Sequence, residues 1–127
     1  MIANEKSAPR LVSLFSGCGG MDKGFEQAGF QRVWANDFDK DAQAVFRLNF
    51  GEIDGRDIRE VPVDEIPACD ILTAGFPCQP FSNAGNRRGV YDSRGELYLE
   101  CLRIIERKLP KAVLFENVKG LISSKHQ

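Results

Sequence analysis

Short apolar segments alternate along this chain with segments whose apolar residues recur at helical spacing, and glycine or proline marks nearly every change. "LVSLF" (11–15) reads as a buried strand. The helix-patterned "GCGGMDKGFEQAGF" follows, with Met21, Phe25 and Ala28 on one face and Gly29 as its stop. "RVWAN" (32–36) is a second strand, and "KDAQAVFRLNFG" then places Ala42, Val45, Phe46 and Phe50 at helical spacing before Gly51. "DILTA" (70–74) is a further strand. "GELYLECLRIIERKL" carries Leu97, Cys101, Leu102 and Ile105 on one face as far as Pro110, and "AVLFENV" (112–118) is the last strand. "REVPVDEIPAC" (59–69) reads as a polar, proline-interrupted connection. A helix between successive strands returns the chain to the same end of the sheet. The expected class is therefore α/β: one parallel sheet with helices on both faces. In 127 residues this is a single domain, residues 11–127, behind a polar tail of residues 1–10.

Ligands of such sheets bind beyond the carboxyl ends of the strands. That rule selects "FSGCGG" after the first strand, "ND" after the second and "FPCQ" after "DILTA", and predicts that the three meet at one sheet edge. Gly17, Gly19 and Gly20 let a ligand approach the backbone, or simply make a tight turn. The dinucleotide fingerprint G-x-G-x-x-G is broken, because counting from Gly17 puts Asp22 at the third glycine position. Asp37 closes the second strand 20 positions after Gly17, where an acidic side chain holds ribose hydroxyls. Loop and acid together point to an adenosine-type cofactor, with room for one that lacks phosphates.

Of the four cysteines, Cys78 is wedged in "GFPCQPFS" (75–82), where Pro77 fixes its approach and Pro80 stiffens its exit. A rigid loop lowers the cost of holding a thiol in attacking geometry, and the thiol is the strongest side-chain nucleophile near neutral pH. Structural filler is the other reading of Cys78 taken alone. Glu116 ends an apolar strand, where a carboxylate is costly without a purpose. A thiol beside a carboxyl kept protonated suits attack on an electron-poor ring; capping a helix or pairing with an arginine is the plainer alternative. Cys18, Cys69, Cys78 and Cys101 form no C-x-x-C pair and His126 is the lone histidine, which argues against a metal centre and a thioredoxin-like motif. Cys69 and Cys101 are expected as small core residues. A net charge of −1 supplies no basic footprint for nucleic acid. No stretch approaches the roughly 18 apolar residues of a membrane span, and the polar first ten residues make a cytoplasmic setting the expectation.

In order along the chain, these residues resemble the N-terminal half of a DNA cytosine-5 methyltransferase. "LFSGCGGMDKGFEQAGF" is similar to motif I of that family and "WANDFDKDA" to motif II. "GRDI" resembles motif III, "GFPCQPFS" motif IV, "GVYDSRGELY" motif V and "FENVKGL" motif VI. The resemblance implies a Rossmann-like fold that binds S-adenosylmethionine and acts on duplex DNA whose target cytosine is flipped out of the stack. By position it makes Cys78 the nucleophile for carbon-6 of the base and Glu116 the group that engages N3. It places Phe15, Ser16, Gly17, Cys18, Gly19 and Gly20 along the methionine and adenine. Asp37 falls on the ribose, Phe38 against the adenine face, and Asp57 with Ile58 at the adenine edge; Pro77 also borders the cofactor. Residues 82–94 correspond to the family's catalytic loop. Ser82, Arg87, Arg88 and Arg94 become DNA contacts, and a merely solvated loop is the alternative.

Two small departures are Asp37 and Phe38, where many relatives carry glutamate and tryptophan. A larger one is that nothing matches the Gln-Arg-Arg motif, the target-recognition domain or the family's last two motifs. The expectation is a truncated piece or one subunit of a split enzyme, with the missing C-terminal half as its partner. Two other classes stay open: a non-catalytic cofactor-binding module and a nucleotide-cofactor oxidoreductase. The broken glycine fingerprint and the Pro-Cys-Gln motif count against the second.

Overall fold

The computed structural model describes residues 7–76 and 96–116. The elements are β1 (Arg10–Leu14), α1 (Gly20–Gln27), β2 (Gln31–Asn36), α2 (Lys40–Phe50), β3 (Ile71–Gly75), α3 (Glu96–Lys108) and β4 (Ala112–Glu116). The strands form one sheet in the order β2-β1-β3-β4, and all three pairings are parallel. The parallel sheet expected from the alternation is therefore present. Strand order reverses between β1 and β3: the chain first winds outward to β2, then crosses back to build β3 and β4. A reversal splays the two departing connections apart and leaves a crevice at their carboxyl ends.

The two sheet faces are covered differently. Val12 and Leu14 of β1 with Leu72 and Ala74 of β3 face Cys101 and Ile104 of α3 in one buried cluster. On the other side Ala35 of β2 packs with Phe46 of α2 and Ile53. The Phe46 side chain is fully buried, a contribution of about 1.5–3 kcal/mol. Arg32 locks this side together. Its guanidinium stacks over Phe46 at 4.9 Å and Phe50 at 5.3 Å, donates to the Phe50 carbonyl, and pairs with Glu26 of α1. Helix α2 starts where the Asp39 carboxylate accepts from Ala42 N at 2.9 Å and stops at Gly51, whose φ is 95°.

Four expectations about what is buried need correction. In α1, Ala28 is exposed and the innermost residue is Asp22, whose carboxyl is satisfied on one oxygen by Ser13. In α2, Val45 is 39% exposed while Gln43 turns inward, its amide bonded to the carbonyls of Asp37 and Gly55. In α3, Leu102 is 37% exposed and Ile104 takes its place in the core. A spacing pattern fixes only the period; which neighbouring residue faces inward depends on partners elsewhere in the chain. The connection read as polar also supplies core: the short 3-10 turns Ile58–Glu60 and Val63–Glu65 bury Ile58, Val61 and Ile66 beneath α3. Cys101 is a core residue as expected, whereas Cys69 is half-buried at the core margin.

Candidate active site

The glycine loop begins with strain. Phe15 follows β1 with φ at 52°, a left-handed conformation that costs an aromatic residue about 1–2 kcal/mol. Its neighbours hold it there: the next amide, Ser16 N, donates to the Asn36 carbonyl at 3.0 Å, and the Phe15 ring lies 5.4 Å from that of Phe76. Gly19, with φ at 93°, then caps α1, and a Cβ there would run into the Phe50 ring. Between them Cys18 is exposed.

Asp37 ties this loop to the end of β2. Its Oδ2 accepts from Gly17 N at 2.7 Å and its Oδ1 from Asp39 N at 2.8 Å. Each oxygen keeps a lone pair for a further donor. The following segment hangs from β2 by two inward amides. Asn36 Nδ2 donates to the Asp54 and Arg56 carbonyls at 2.9 and 2.8 Å, and Gln43 Nε2 donates to the Asp37 carbonyl at 2.8 Å. Gly55 must lack a side chain here, since a Cβ would lie 2.7–2.9 Å from the Gln43 amide group. Asp57 caps the first 3-10 turn and is paired with Arg59 at 2.6 Å. The hydrogen bond from Arg59 holds its carboxyl below the usual carboxylate range.

These parts enclose a cleft of about 1170 Å³ at the strand-order reversal. Phe15, Gly17 and Cys18 come from the first loop, Asp37 and Phe38 from the second, Asp57 and Ile58 from the third, with Gly75 and Phe76 at the end of β3. The first two predicted loops thus meet at one edge with Phe76, the first residue of "FPCQ"; the rest of that loop lies outside the described residues. Phe38 is 68% exposed in this cleft, an aromatic face free to take a planar ring. Ile58 lines the cleft although it is 2% exposed, so it presents little more than its edge. Ser16 and Glu116 border an adjoining cavity of about 350 Å³. Gly19 and Gly20 line neither and serve the start of α1.

Glu116 departs from the expectation of a costly buried carboxylate, because β4 is an exposed edge strand and Glu116 is exposed at its end. Its position is nonetheless informative. A Cβ on Gly75 would meet Glu116 Oε2 and the Phe15 carbonyl oxygen at 3.5 Å each, so the carboxylate rests over the end of β3 beside the glycine loop. Among the described residues no side chain pairs with it. Pro77, Cys78, Ser82, Arg87, Arg88 and Arg94 lie outside the described residues.

Asn36 is expected at the sheet edge as part of "ND", whereas the sequence assigns Gln43, Gly55 and the Ser13–Asp22 pair no role. A detectable signal existed for Gln43, a polar residue flanked by Ala42 and Ala44 within a helical pattern. Nothing local marks the packing role of Gly55.

A crevice at a strand reversal, floored by a glycine loop and walled by an acid and an aromatic ring, defines the class: a Rossmann-like α/β domain. The solved structure of the Schizosaccharomyces pombe Dnmt2 methyltransferase superposes with a TM-score of 0.72 and 31% identity, over 93% of this chain and 38% of that one. The family description C-5 cytosine-specific DNA methylase matches residues 9–127, and the chain belongs to that family. It is 46% identical to the Type II methyltransferase M.NgoFVII of Neisseria gonorrhoeae over 125 residues, which cover 95% of this chain and 33% of that protein. Against M.HhaI of Haemophilus parahaemolyticus the identity is 46% over 114 residues, 90% of this chain and 35% of the relative. The chain thus spans about a third of the length of the curated relatives it matches. Among the described residues no helix is long and apolar enough to cross a membrane.

Proposed function

We propose that this chain is the cofactor-binding and nucleophile-bearing part of an enzyme that methylates carbon-5 of cytosine in duplex DNA. The observation that carries the reading is the convergence of the glycine loop, Asp37 and Phe38 on one cleft, with Glu116 on the adjoining cavity. The residues suit S-adenosylmethionine. Asp37 keeps acceptor capacity for ribose hydroxyls, Phe38 offers a ring face, and Asp57 with Ile58 lies where the edge of a purine would reach. When bound, the cofactor supplies an electrophilic methyl group to carbon-5.

The chain's own residues prepare the base. Cys78 thiolate forms a bond to carbon-6 while Glu116 hydrogen-bonds or protonates N3, so the electron pair displaced from the ring is held as an enamine and carbon-5 becomes nucleophilic. After methylation, loss of the carbon-5 proton and expulsion of the Cys78 thiolate restore the aromatic ring. Ser82, Arg87, Arg88 and Arg94 are assigned to the DNA backbone, where each cation replaces condensed counterions. Cys101 takes no part: burial pushes its thiol up to about 12, leaving almost no thiolate.

The working enzyme includes a C-terminal complement, in the same polypeptide or in a second one. A net charge of −1 gives this chain little hold on phosphates, and β4, an edge strand among the described residues, leaves Val113 and Leu114 39% and 44% exposed. The test is transfer of labelled methyl from S-adenosylmethionine to duplex DNA, with and without that complement. Turnover is expected only with it, and robust turnover by the 127 residues alone refutes the division of labour. In the completed enzyme, DNA carrying 5-fluorocytosine traps the adduct because carbon-5 has no proton to lose. Cys78→Ser should abolish trapping and Cys101→Ala should not; trapping that survives Cys78→Ser removes the mechanism.

A further inference from the structure

Four aromatic rings stand together behind the candidate site. Phe76 is buried at their centre, its ring centroid 5.4 Å from that of Phe15, 5.3 Å from that of Phe115 and 5.9 Å from that of Tyr98. Tyr98 closes the set, 5.9 Å from Phe115. Phe115 meets both Phe76 and Tyr98 edge-on, and all four separations fall in the range where ring pairs attract beyond their buried area.

Three of these rings belong to segments that carry site residues. Phe15 opens the glycine loop, Phe76 precedes Pro77 and Cys78, and Phe115 precedes Glu116. Tyr98 is the exception. It lies on α3 and lines neither the main cleft nor the adjoining cavity; its partners are the rings next to the other two segments. The end of β4 needs such support. It is an edge strand among the described residues, and the bond from Phe76 N to the Glu116 carbonyl is long, at 3.3 Å. Side chains alternate across a strand, so the Phe115 ring and the Glu116 carboxylate leave it on opposite faces. A ring held on one face therefore fixes where the next carboxylate starts on the other.

On the mechanism given above, we propose that Tyr98 is a positioning residue for cytosine methylation. Packed against Phe76 and Phe115 at once, it sets the spacing between the two segments that deliver the nucleophile and the carboxyl. Cys78 and Glu116 address carbon-6 and N3, which lie across one six-membered ring, so the two groups must keep one separation. A misplacement of about 1 Å costs about a hundredfold in rate, and Tyr98 guards against it without touching base or cofactor.

The experiment follows adduct formation on DNA carrying 5-fluorocytosine by the completed enzyme in a single turnover, beside calorimetric titration with S-adenosylhomocysteine. Tyr98→Phe keeps the ring and should react at the native rate. Tyr98→Leu should slow the adduct about tenfold or more, with the full amount trapped in the end and cofactor affinity within about twofold of native. Phe115→Leu should slow it comparably, and adding Tyr98→Leu to that variant should cost little more, because both act through one contact. A purely structural role lowers the trapped amount and the cofactor affinity together while the folded fraction reacts at the native rate, and that result overturns the proposal. So does a native rate in Tyr98→Leu, or costs of the two substitutions that simply multiply. A native enzyme that traps no adduct removes the mechanism above and this proposal with it. Should melts show that Tyr98→Leu fails to fold, Tyr98→Met, whose flexible chain fills the same space without a ring, carries the same outcomes.

Discussion

Gly19→Ala is expected to destabilise the chain by about 2–5 kcal/mol, from two sources that can be separated. Gly19 caps α1 at φ 93° and ψ 18°, where an L side chain costs about 1–2 kcal/mol. The added methyl would also lie 2.6 Å from Phe50 Cδ2 and closer still to Cε2. The Phe50 ring is not free to swing aside. Its centroid is 5.0 Å from that of Phe46, and the Arg32 guanidinium carbon sits over the ring, 5.3 Å from its centroid. Overpacking against a held ring costs about 1–3 kcal/mol more. Phe50→Ala removes the obstacle, so in that background Gly19→Ala should cost only the backbone share of about 1–2 kcal/mol. Urea denaturation followed by fluorescence of Trp34, the single tryptophan, measures all four chains of the cycle. An unchanged denaturant slope would show that stability has changed without a change in the surface exposed on unfolding. Equal costs in the two backgrounds, or less than about 1 kcal/mol in the native one, would refute the steric account.

Asp37→Ala should weaken S-adenosylmethionine binding by about 1.5–3 kcal/mol in calorimetry, because charged hydrogen bonds to the ribose are lost; tight NAD binding with no response to S-adenosylmethionine would end that reading. Gly55→Ala should be destabilising, because its methyl enters the space of the Gln43 amide; that cost should shrink in a Gln43→Ala background, and strict additivity in denaturation would argue against the clash. The Asp22 carboxyl is raised above its ordinary 3.8, chiefly by burial. The folded state therefore holds its proton more tightly, and stability falls as pH rises from about 4 through the folded-state value. Asp22→Asn should flatten that fall in a series of melts across pH, and an unchanged profile would show that Asp22 ionises as easily folded as unfolded.

Most of the fold was legible because its signals are local and redundant. Each strand was bounded by glycine, proline or a helical pattern, and each observed boundary lies within about three residues of the expected one. What stayed hidden was rotation about the helix axes. Gln43 and Asp22 turn inward because carbonyls and a hydroxyl elsewhere await them, and no window of sequence shows those partners. The segment 59–69 looked polar by composition, yet Val61 and Ile66 are the residues that matter to packing, each 1% exposed. A count of charges over eleven residues cannot register two that are held inward by 3-10 turns.

The site was legible for a different reason. Topology puts three consecutive loops at the carboxyl end of one parallel sheet, so residues far apart in sequence become neighbours without any need to know their contacts. Phe15, Asp37 and Gly75 meet on that account alone. Glu116 shows where such reasoning gives a right address for a wrong cause. The apolar strand before it suggested a buried carboxylate, whereas β4 is an exposed edge. What brings Glu116 beside the glycine loop is register: it pairs with Gly75, the last residue of β3, which carries no side chain to keep the carboxylate away. A side chain at 75 would bring its Cβ into van der Waals contact, at 3.5 Å, with both the Glu116 carboxylate and the Phe15 carbonyl oxygen. The glycine before the Phe-Pro-Cys sequence thus belongs to the geometry of the candidate site, through the residue opposite it in the sheet.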